Sequence, residues 1–264
     1  MDKKIKQLRT KLINESNKWL PPFILIVLLL FIWQIICILA NIPKWLLPMP
    51  TDILLELYQH WNLLLKHSFV TLYEIVIGFS FSIITGLIIG GFIAYSKTLE
   101  KSLYPIIISS QTIPIIAIAP ILLVWFGYGL LPKVLVVGLI AFFPIAVNTI
   151  DGLKTIDEDI INMMKTLGAS KSQIFKKIQI PNSLPSIFTG LRIGMASSVI
   201  GAVISEWVGS SEGLGYLMIR SKPQFLTERV FAAIFLLSVI GLLLFLFVNY
   251  CEKKIVYWKT TSNL

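Results

Sequence analysis

Charged residues are scarce in this chain: Asp, Glu, Lys and Arg make up 14% of its 264 residues, whereas 56% are hydrophobic. A soluble domain carries about 25% charged residues, so this deficit excludes an ordinary soluble fold. Long apolar runs take their place, and about 20 apolar residues are enough to cross the hydrocarbon core of a bilayer. The composition is that of a membrane protein.

Cysteine and histidine are also rare, with two of each. Cys37 and Cys251 fall near opposite membrane faces, so they are too far apart to form a disulfide and are interpreted as small apolar side chains. His60 and His67 lie in an outer connection without further metal-ligand residues, and no His-Glu-x-x-His string occurs. These absences argue against an intramembrane metal enzyme and predict no metal site.

The chain lacks a Gly-x-x-x-x-Gly-Lys-Ser/Thr string, so it cannot hold nucleotide phosphates in a P-loop of its own. The glycine-containing string "GSSEGLG" at 209–215 is interpreted as a flexible outer loop or as a gate. The centres of the apolar runs are nearly free of ionisable residues, and no internal repeat is evident. Both facts count against an ion-coupled secondary transporter, which stays the alternative.

Six apolar runs are long enough to span a membrane, and their backbone polar groups must pair internally, which predicts helices. The first run follows a basic leader but is too long for a signal peptide and precedes no small-x-small cleavage site. The predicted fold is an all-α polytopic helical bundle with spans at 22–40, 69–95, 103–126, 131–150, 187–205 and 230–250.

The positions of Lys and Arg predict the orientation. With the N-terminus in the cytoplasm, sixteen of the 23 basic residues lie in inner segments and six in outer ones, so both termini are expected to be cytoplasmic. This topology and anionic inner-leaflet lipid explain the net charge of +9 without a nucleic-acid partner. We divide the chain into a cytoplasmic amphipathic leader (1–21), a transmembrane domain (22–250) and a cytoplasmic tail (251–264).

Polar residues near the outer ends and in the third span are candidates for function. Gln111 and Thr112 lie just before Pro114, and a helix broken inside the membrane is tolerated where it packs on protein or lines a watery cavity. A plain kink at Pro114 and Pro120 is the alternative. Glu74 is interpreted as a solvated carboxylate at the outer rim rather than an intramembrane site.

Two shorter patterns predict local structure. Gly86 and Gly90 have the small-xxx-small spacing that permits a close helix crossing. After a cluster of prolines, the outer connection contains a surface helix for which Thr51 or Asp52 is the expected N-cap.

The loop between the fourth and fifth spans, 151–186, reads as two short amphipathic helices. Thr155 or Asp157 caps the first. Gly168 then ends it in a left-handed conformation. Its apolar residues recur at helical spacing and share one face: Ile160, Met163, Met164 and Leu167.

The second helix of this loop begins at Ser170, which forms a capping box with Gln173, and Pro181 is expected to stop it. A basic amphipathic pair of helices suits an anionic lipid surface. It suits a protein partner equally well.

The same loop resembles the signature loop of bacterial ABC importer permeases, which reads Glu-Ala-Ala, three residues, Gly, nine residues, Ile-x-Leu-Pro. Aligned on Gly168, residues 178–181 give Ile-Gln-Ile-Pro, with Ile in place of Leu. The opening departs, because residues 162–164 are Asn-Met-Met and the usual carboxylate is missing.

Two further strings, "QTIPIIAIAPILLVWFGYGLLPK" and "AVISEWVGSSEGLGYLM", look like the permeases that import nitrate, sulfonates, taurine and thiamine-precursor pyrimidines. The resemblance covers about residues 65–250, and the first string is most similar to the thiamine-precursor branch.

The resemblance implies a non-enzymatic subunit in the cell membrane of a bacterium. Solute would come from an extracytoplasmic binding protein onto outer loops that include 206–229, and a second permease copy would complete the pathway. ATP and Mg²⁺ would be bound by a separate ATPase dimer, with no cofactor in this chain. The loop 151–186, called the coupling loop below, would dock that ATPase through Lys165, Gly168, Ala169, Ser170, Ile174, Phe175 and Pro181. The candidate pathway or gate residues are Gln111, Thr112, Glu206 and Trp207.

Overall fold

Every regular element in the part of the chain that the structure describes is helical, which confirms the all-α class. The structure is a computed structural model that describes the backbone of residues 2–258 and the side chains of residues 20–258. The helices, in chain order, are α1 Asp2–Leu39, α2 Pro50–Gln59, α3 Trp61–Tyr95, α4 Lys97–Ser110, α5 Ile115–Phe126, α6 Leu130–Lys154, α7 Glu158–Thr166, α8 Lys171–Ile174, α9 Ile180–Gly209, α10 Leu214–Ser221 and α11 Thr227–Ile255.

Two short turns complete these elements. A π-helical turn, Phe175–Gln179, joins α8 to α9, and a 3₁₀ turn, Lys222–Gln224, follows α10. The amphipathic pattern predicted for the leader falls on side chains before residue 20, outside those described, and the end of the predicted tail, 259–264, also lies outside the described residues.

Within residues 2–258, five helices are long and apolar enough to cross a membrane: Leu20–Leu39, Trp61–Tyr95, Leu130–Lys154, Lys171–Gly209 and Thr227–Ile255. The sixth candidate is the pair α4 and α5, which bend by 96° at the break between them. The predicted number of spans therefore holds if this bent pair counts as one.

The break in the third span falls at only one of its two prolines. Pro114 precedes the first residue of α5 with an extended backbone, so its missing N–H leaves no helical hydrogen bond unmade. Pro120 lies inside α5, which continues past it to Phe126. The expectation of a break at Pro114 is confirmed, whereas Pro120 does not interrupt the helix.

The chain divides into two compact units, one formed by residues up to Trp61 with Ser221–Ala232 and the other by the remainder. In the first unit, Gln34 bonds α2 through Thr51, whose N–H donates to the Gln34 Oε1 at 3.3 Å. Arg229 Nε donates to Glu56 Oε1 at 2.7 Å. These polar pairs hold helices together where apolar packing alone gives little direction.

The start of α2 differs from the predicted N-cap. Met49 occupies the cap position, and Pro50 takes the first helical position, where its fixed backbone and missing N–H cost nothing. Asp52 sits three residues after the cap and accepts a hydrogen bond from the Met49 N–H at 3.3 Å. The assignment of Thr51 or Asp52 as N-cap is therefore wrong.

The second unit is built on close crossings of α3, α6 and α9. Its buried core joins Ile75 of α3, Ile145 of α6 and Met195 of α9. A Cβ on Gly86 would lie 2.8 Å from Ile145 Cγ2, which confirms the close crossing predicted from the Gly86 and Gly90 spacing. Small residues let helices approach closely enough for dispersion contacts to replace the hydrophobic effect, which lipid does not supply.

One basic residue, Arg192, lies inside a span and has a partner. Arg192 of α9 forms an ion pair with Glu252 of α11, and Arg192 Nη2 donates to Thr189 Oγ1 at 3.1 Å. A charge within an apolar span is stable only when it is paired in this way.

Candidate functional site

The first helix of the coupling loop begins and ends as the sequence predicts. Asp157 is the N-cap of α7, and its Oδ1 accepts a hydrogen bond from the Asp159 N–H at 3.0 Å. Gly168 has φ +80°, a backbone conformation that costs other residues about 1–2 kcal/mol. The Ala169 N–H then donates back to the Met164 carbonyl at 3.0 Å, which closes the helix end.

The predicted capping box at the start of α8 is confirmed. The Gln173 N–H donates to Ser170 Oγ at 3.3 Å, and the Ser170 N–H donates to Gln173 Oε1 at 2.8 Å. Together with Gly168, this box fixes the turn between the two helices of the coupling loop.

The apolar stripe of α7 is not covered by the described part of the chain. Ile160 is 40% exposed, Met163 57% and Leu167 73%, while Met164 is half-buried. This stripe, called the α7 stripe below, lies on a short helix whose other face is polar. An exposed apolar face rimmed by charged residues marks a surface for another molecule.

The second helix of the coupling loop is instead attached to its own subunit. Ile174 is buried, and the Phe175 ring packs edge-on against the Tyr95 ring at the end of α3, with centroids 5.3 Å apart. Lys171 Nζ lies 4.3 Å above the same Tyr95 ring. Gln179 Nε2 donates to the Leu153 carbonyl of α6 at 3.3 Å. Helix α8 and the π-turn that follows it are therefore in contact with α3 and α6.

Pro181 does not stop the second helix, so that prediction is wrong. The helical path runs continuously from Lys171 to Gly209. The π-turn Phe175–Gln179 ends two residues before Pro181, and its wider spacing accommodates a residue that has no N–H to donate. The span predicted at 187–205 therefore extends into the coupling loop.

The seven predicted docking residues occupy different environments. Lys165, Gly168 and Ser170 are exposed, whereas Ile174 is buried against its own subunit. Ala169, Phe175 and Pro181 are half-buried. Lys165 Nζ lies 3.3 Å from Oδ1 of Asn162, the residue that stands where the signature has Glu.

The four pathway or gate candidates lie at two places in the fold. Gln111 and Thr112 are exposed at the break between α4 and α5. Glu206 is buried near the end of α9, whereas the neighbouring Trp207 is 42% exposed on another side of that helix.

The buried Glu206 binds the outer loop. Its Oε1 accepts a hydrogen bond from the Thr71 hydroxyl at 2.6 Å, and its Oε2 accepts one from the Gly215 N–H. The Leu214 N–H donates to Thr71 Oγ1 at 2.8 Å, and the Gly213 N–H donates to His67 Nδ1 at 2.9 Å. Residues 210–215, called the outer loop below, are thus held by α3 and α9.

A buried ion pair lies beside Glu206. Lys133 Nζ donates to Glu74 Oε1 at 2.7 Å and to the outer-loop Ser210 Oγ at 2.6 Å. Glu74 is 2% exposed, so its interpretation as a solvated rim carboxylate is wrong. The close crossing of α3 and α6 encloses it. We call Thr71, Glu74, Lys133 and Glu206 the outer centre.

Sequence reasoning did not identify the outer centre as a unit. Its residues are far apart in the chain, with 135 positions between Thr71 and Glu206 and 59 between Glu74 and Lys133. The sequence does indicate that these residues lie at a similar depth in the membrane. Glu74, Lys133 and Glu206 all lie within a few turns of the predicted outer end of a span. Within the described residues, no group of three or more His, Cys, Asp or Glu side chains is arranged to hold a metal.

Comparison with known proteins assigns the chain to a family. The model of the binding-protein-dependent transport system inner membrane component matches residues 82–257. The chain belongs to this family. It is therefore a non-enzymatic permease subunit of an ABC importer in a bacterial membrane, and the ATPase is a separate subunit.

Individual relatives support the same assignment. The permease is 39% identical to the formylaminopyrimidine transport permease protein ThiX of Halalkalibacterium halodurans, over 93% of this chain and 98% of that one. It is 35% identical to the riboflavin transport system permease protein RibX of Chloroflexus aurantiacus, over 91% of this chain and 90% of the other. The predicted subfamily and branch are confirmed, and the ion-coupled alternative is not favoured.

A solved structure shows the same fold. One chain of the MetNI methionine ABC transporter, in inward-facing conformations, superposes with a TM-score of 0.63 at 20% identity, over 75% of the permease and 97% of that chain. Family membership implies an ATPase and a binding protein as partners of the permease.

Proposed function

We propose that two copies of the permease form a pathway that moves a thiamine-precursor pyrimidine from an extracytoplasmic binding protein into the cytoplasm. Sulfonates, taurine and nitrate are the next candidates for the solute. An ATPase dimer supplies the energy and holds ATP and Mg²⁺, so the permease itself needs no cofactor. Each copy contributes one coupling loop. The two copies therefore provide one docking element for each of the two ATPase subunits.

The exposed α7 stripe is the observation that carries the ATPase-docking part of this proposal. Ile160, Met163 and Leu167 face away from the permease on a helix whose start and end are both capped. A rigid amphipathic helix with an open apolar face fits a groove in a partner protein. Lys165, Gly168, Ala169 and Ser170 follow it in the chain and would contact the ATPase at the same place.

The attachment of α8 suggests how docking drives transport. When ATP closes the ATPase dimer, the docked loops are drawn together, and contacts from Phe175 to Tyr95 and from Gln179 to Leu153 carry this motion into α3 and α6. The bundle then shifts between inward-facing and outward-facing states, and both the ATPase and the binding protein bias that equilibrium. Gln111 and Thr112, exposed at the bend, and Trp207 would line the pathway.

Replacing Gly168 tests the docking turn. Proline cannot adopt φ +80°, so Gly168→Pro is expected to leave the permease inserted but to abolish substrate-stimulated ATP hydrolysis in the reconstituted complex. Gly168→Asn is the matched control, because asparagine tolerates positive φ and no atom of the described residues lies within 4 Å of the new Cβ. Normal stimulation in Gly168→Pro would show that this turn does not couple the subunits.

Competitive uptake tests the solute. Proteoliposomes containing the permease, its ATPase and its binding protein are expected to take up a labelled aminopyrimidine with ATP inside, and excess unlabelled taurine or nitrate should not compete. The 39% identity to the formylaminopyrimidine permease over nearly its whole length supports this order of candidates. Efficient competition by taurine would replace the pyrimidine with a sulfonate. Uptake that persists with an inactivated ATPase would contradict the importer itself.

A further inference from the structure

The outer centre has an unbalanced set of buried charges. Glu74 and Glu206 are 2% and 1% exposed, and the Thr71 hydroxyl that donates to Glu206 lies one helical turn from Glu74 on α3. Among the described residues, the ammonium group of Lys133 donates hydrogen bonds to Glu74 and Ser210. His67 adds no positive charge, because its Nδ1 accepts the Gly213 N–H and the ring is therefore neutral. Two ionised carboxylates would leave one buried negative charge without a counter-ion.

One carboxylate oxygen also lacks a hydrogen-bond partner. Glu74 Oε2 is fully buried and accepts no bond, although Glu74 Oε1 is paired with Lys133. A buried acceptor without a donor costs about 1–3 kcal/mol, and more when it is charged. A single proton held within this buried cluster resolves both problems, because it supplies the missing donor and removes the excess charge.

We propose that Glu74 and Glu206 share one proton, and that this carboxyl pair with Lys133 forms a proton-dependent latch that holds the outer loop on α3 and α9. The loop is bonded to the outer centre at three points: the Gly215 N–H donates to Glu206, the Leu214 N–H donates to Thr71, and Lys133 donates to Ser210. Loss of the proton makes the two carboxylates repel each other and releases the loop. The latch would then open on the side of the membrane that meets the binding protein.

Neighbouring charged groups do not provide an alternative counter-ion. Lys66 is paired with Glu212 at 2.6 Å, and both side chains are exposed. That hydrogen bond holds the pKa of Glu212 below its ordinary value, so Glu212 stays ionised near neutral pH. Arg220 is exposed and bonds the Tyr216 hydroxyl at 3.0 Å. Within the outer end of this unit, Lys133 is the cation in contact with the carboxyl pair.

The direction of the pH effect follows from the proton count. The folded pair holds one proton near neutral pH, whereas free glutamates in the unfolded chain are ionised there. The folded state therefore binds more protons, and its stability decreases as pH rises. The latch is complete at neutral pH and is lost under alkaline conditions.

Infrared spectroscopy of the full-length permease in lipid nanodiscs tests the shared proton without any need for transport. A band from a protonated carboxyl group is expected in the wild type. Both Glu74→Gln and Glu206→Gln should remove it, because the positive charge of Lys133 then balances the one remaining carboxylate of the outer centre. Glu212→Gln is the matched control, since Glu212 is ionised and exposed, and it should keep the band. A wild-type spectrum without this band at pH 7 would overturn the proposal.

Thermal unfolding tests the latch in the same samples. The wild type and Glu212→Gln are expected to lose stability as pH rises from about 4.3, where unfolded glutamates ionise, to the pH at which the folded pair releases its proton, whereas Glu206→Gln, which has no shared proton to lose, should not. Lys133→Met should lower Tm by roughly 10 °C by leaving a buried charge unpaired. Adding Glu74→Gln to it should recover much of this loss. Equal pH profiles for the wild type and Glu206→Gln, or no recovery in the double variant, would overturn the latch.

Uptake measured as a function of external pH tests whether the latch acts in transport. The uptake of each variant is normalised to its own value at neutral pH. This step rests on the proposed function, whereas the infrared and thermal measurements do not. The wild type should lose uptake at alkaline pH and Glu206→Gln should not. If no variant transports, the importer proposal fails, and the infrared and thermal measurements still test the latch. If uptake is normal but its pH profiles coincide, the latch has no part in transport and is overturned.

Discussion

Leu167→Asp and Met163→Asp are each expected to abolish binding-protein-stimulated ATP hydrolysis in the reconstituted complex, with a loss of at least about tenfold. Both side chains are more than half exposed in the permease, so a carboxylate there costs the isolated subunit little. Against an apolar groove of the ATPase, the same carboxylate would have to shed its water without a partner, which costs several kcal/mol. The measurement is ATPase activity with and without the loaded binding protein.

The control for these variants is Asn162→Asp, which adds the same charge to the opposite face of α7. Lys165 Nζ already lies 3.3 Å from Asn162 Oδ1, so an aspartate would gain an ion pair, and stimulation is expected to persist. Co-purification of the ATPase subunit should follow the same pattern. Full stimulation in both stripe variants would show that the α7 stripe faces lipid or solvent. An equal loss of stimulation in Asn162→Asp would show that the added charge, and not its place on the stripe, causes the effect.

Gly190→Leu is expected to prevent the permease from folding, and Gly190→Ala to lower its free energy of unfolding by about 1–3 kcal/mol. A Cβ at this position would lie 2.7 Å from the Pro144 carbonyl oxygen and 3.2 Å from the Ile145 Cα. Both are backbone atoms of α6, so the crossing of α6 and α9 must widen to admit a side chain. The measurement is thermal unfolding of the purified protein, together with the yield of monodisperse protein.

Gly91→Ala is the control for that experiment. Gly91 also lies within a long helix, but a Cβ there meets no atom within 4 Å. Alanine is the better helix former by about 0.5–1 kcal/mol, so this substitution is expected to leave stability unchanged or slightly raised. Similar Tm values for Gly190→Ala and Gly91→Ala would contradict the close packing of α6 on α9.

The coupling loop was predictable because its signals are local. The Asp157 cap, the Gly168 turn and the Ser170–Gln173 box each depend on residues within a few positions, and the structure has all three. The prediction that failed is the helix end at Pro181, which follows the π-turn Phe175–Gln179. The π-turn beside Pro181 absorbs the missing hydrogen bond, and helix continuity there depends on how α9 packs.

The outer centre was not predictable in the same way. Taken alone, Glu74 is a carboxylate near the end of an apolar run, and such residues are ordinarily solvated at the rim. Only the packing of α3 on α6 brings Lys133 to it, and only the return of α9 brings Glu206 and the outer loop. These contacts join residues that no short-range pattern connects.

The sequence by itself determined that the permease is helical, how many apolar runs are available to span the membrane, and which loop carries a capped two-helix unit. Those properties depend on hydrocarbon thickness, backbone hydrogen bonding and the chemistry of adjacent residues, all of which are local. The tertiary structure alone decided which face of the coupling loop stays open and which carboxylates meet in a buried pair. The buried pair depends on helices that cross closely at glycines, and both outcomes depend on packing between residues that lie far apart in the chain.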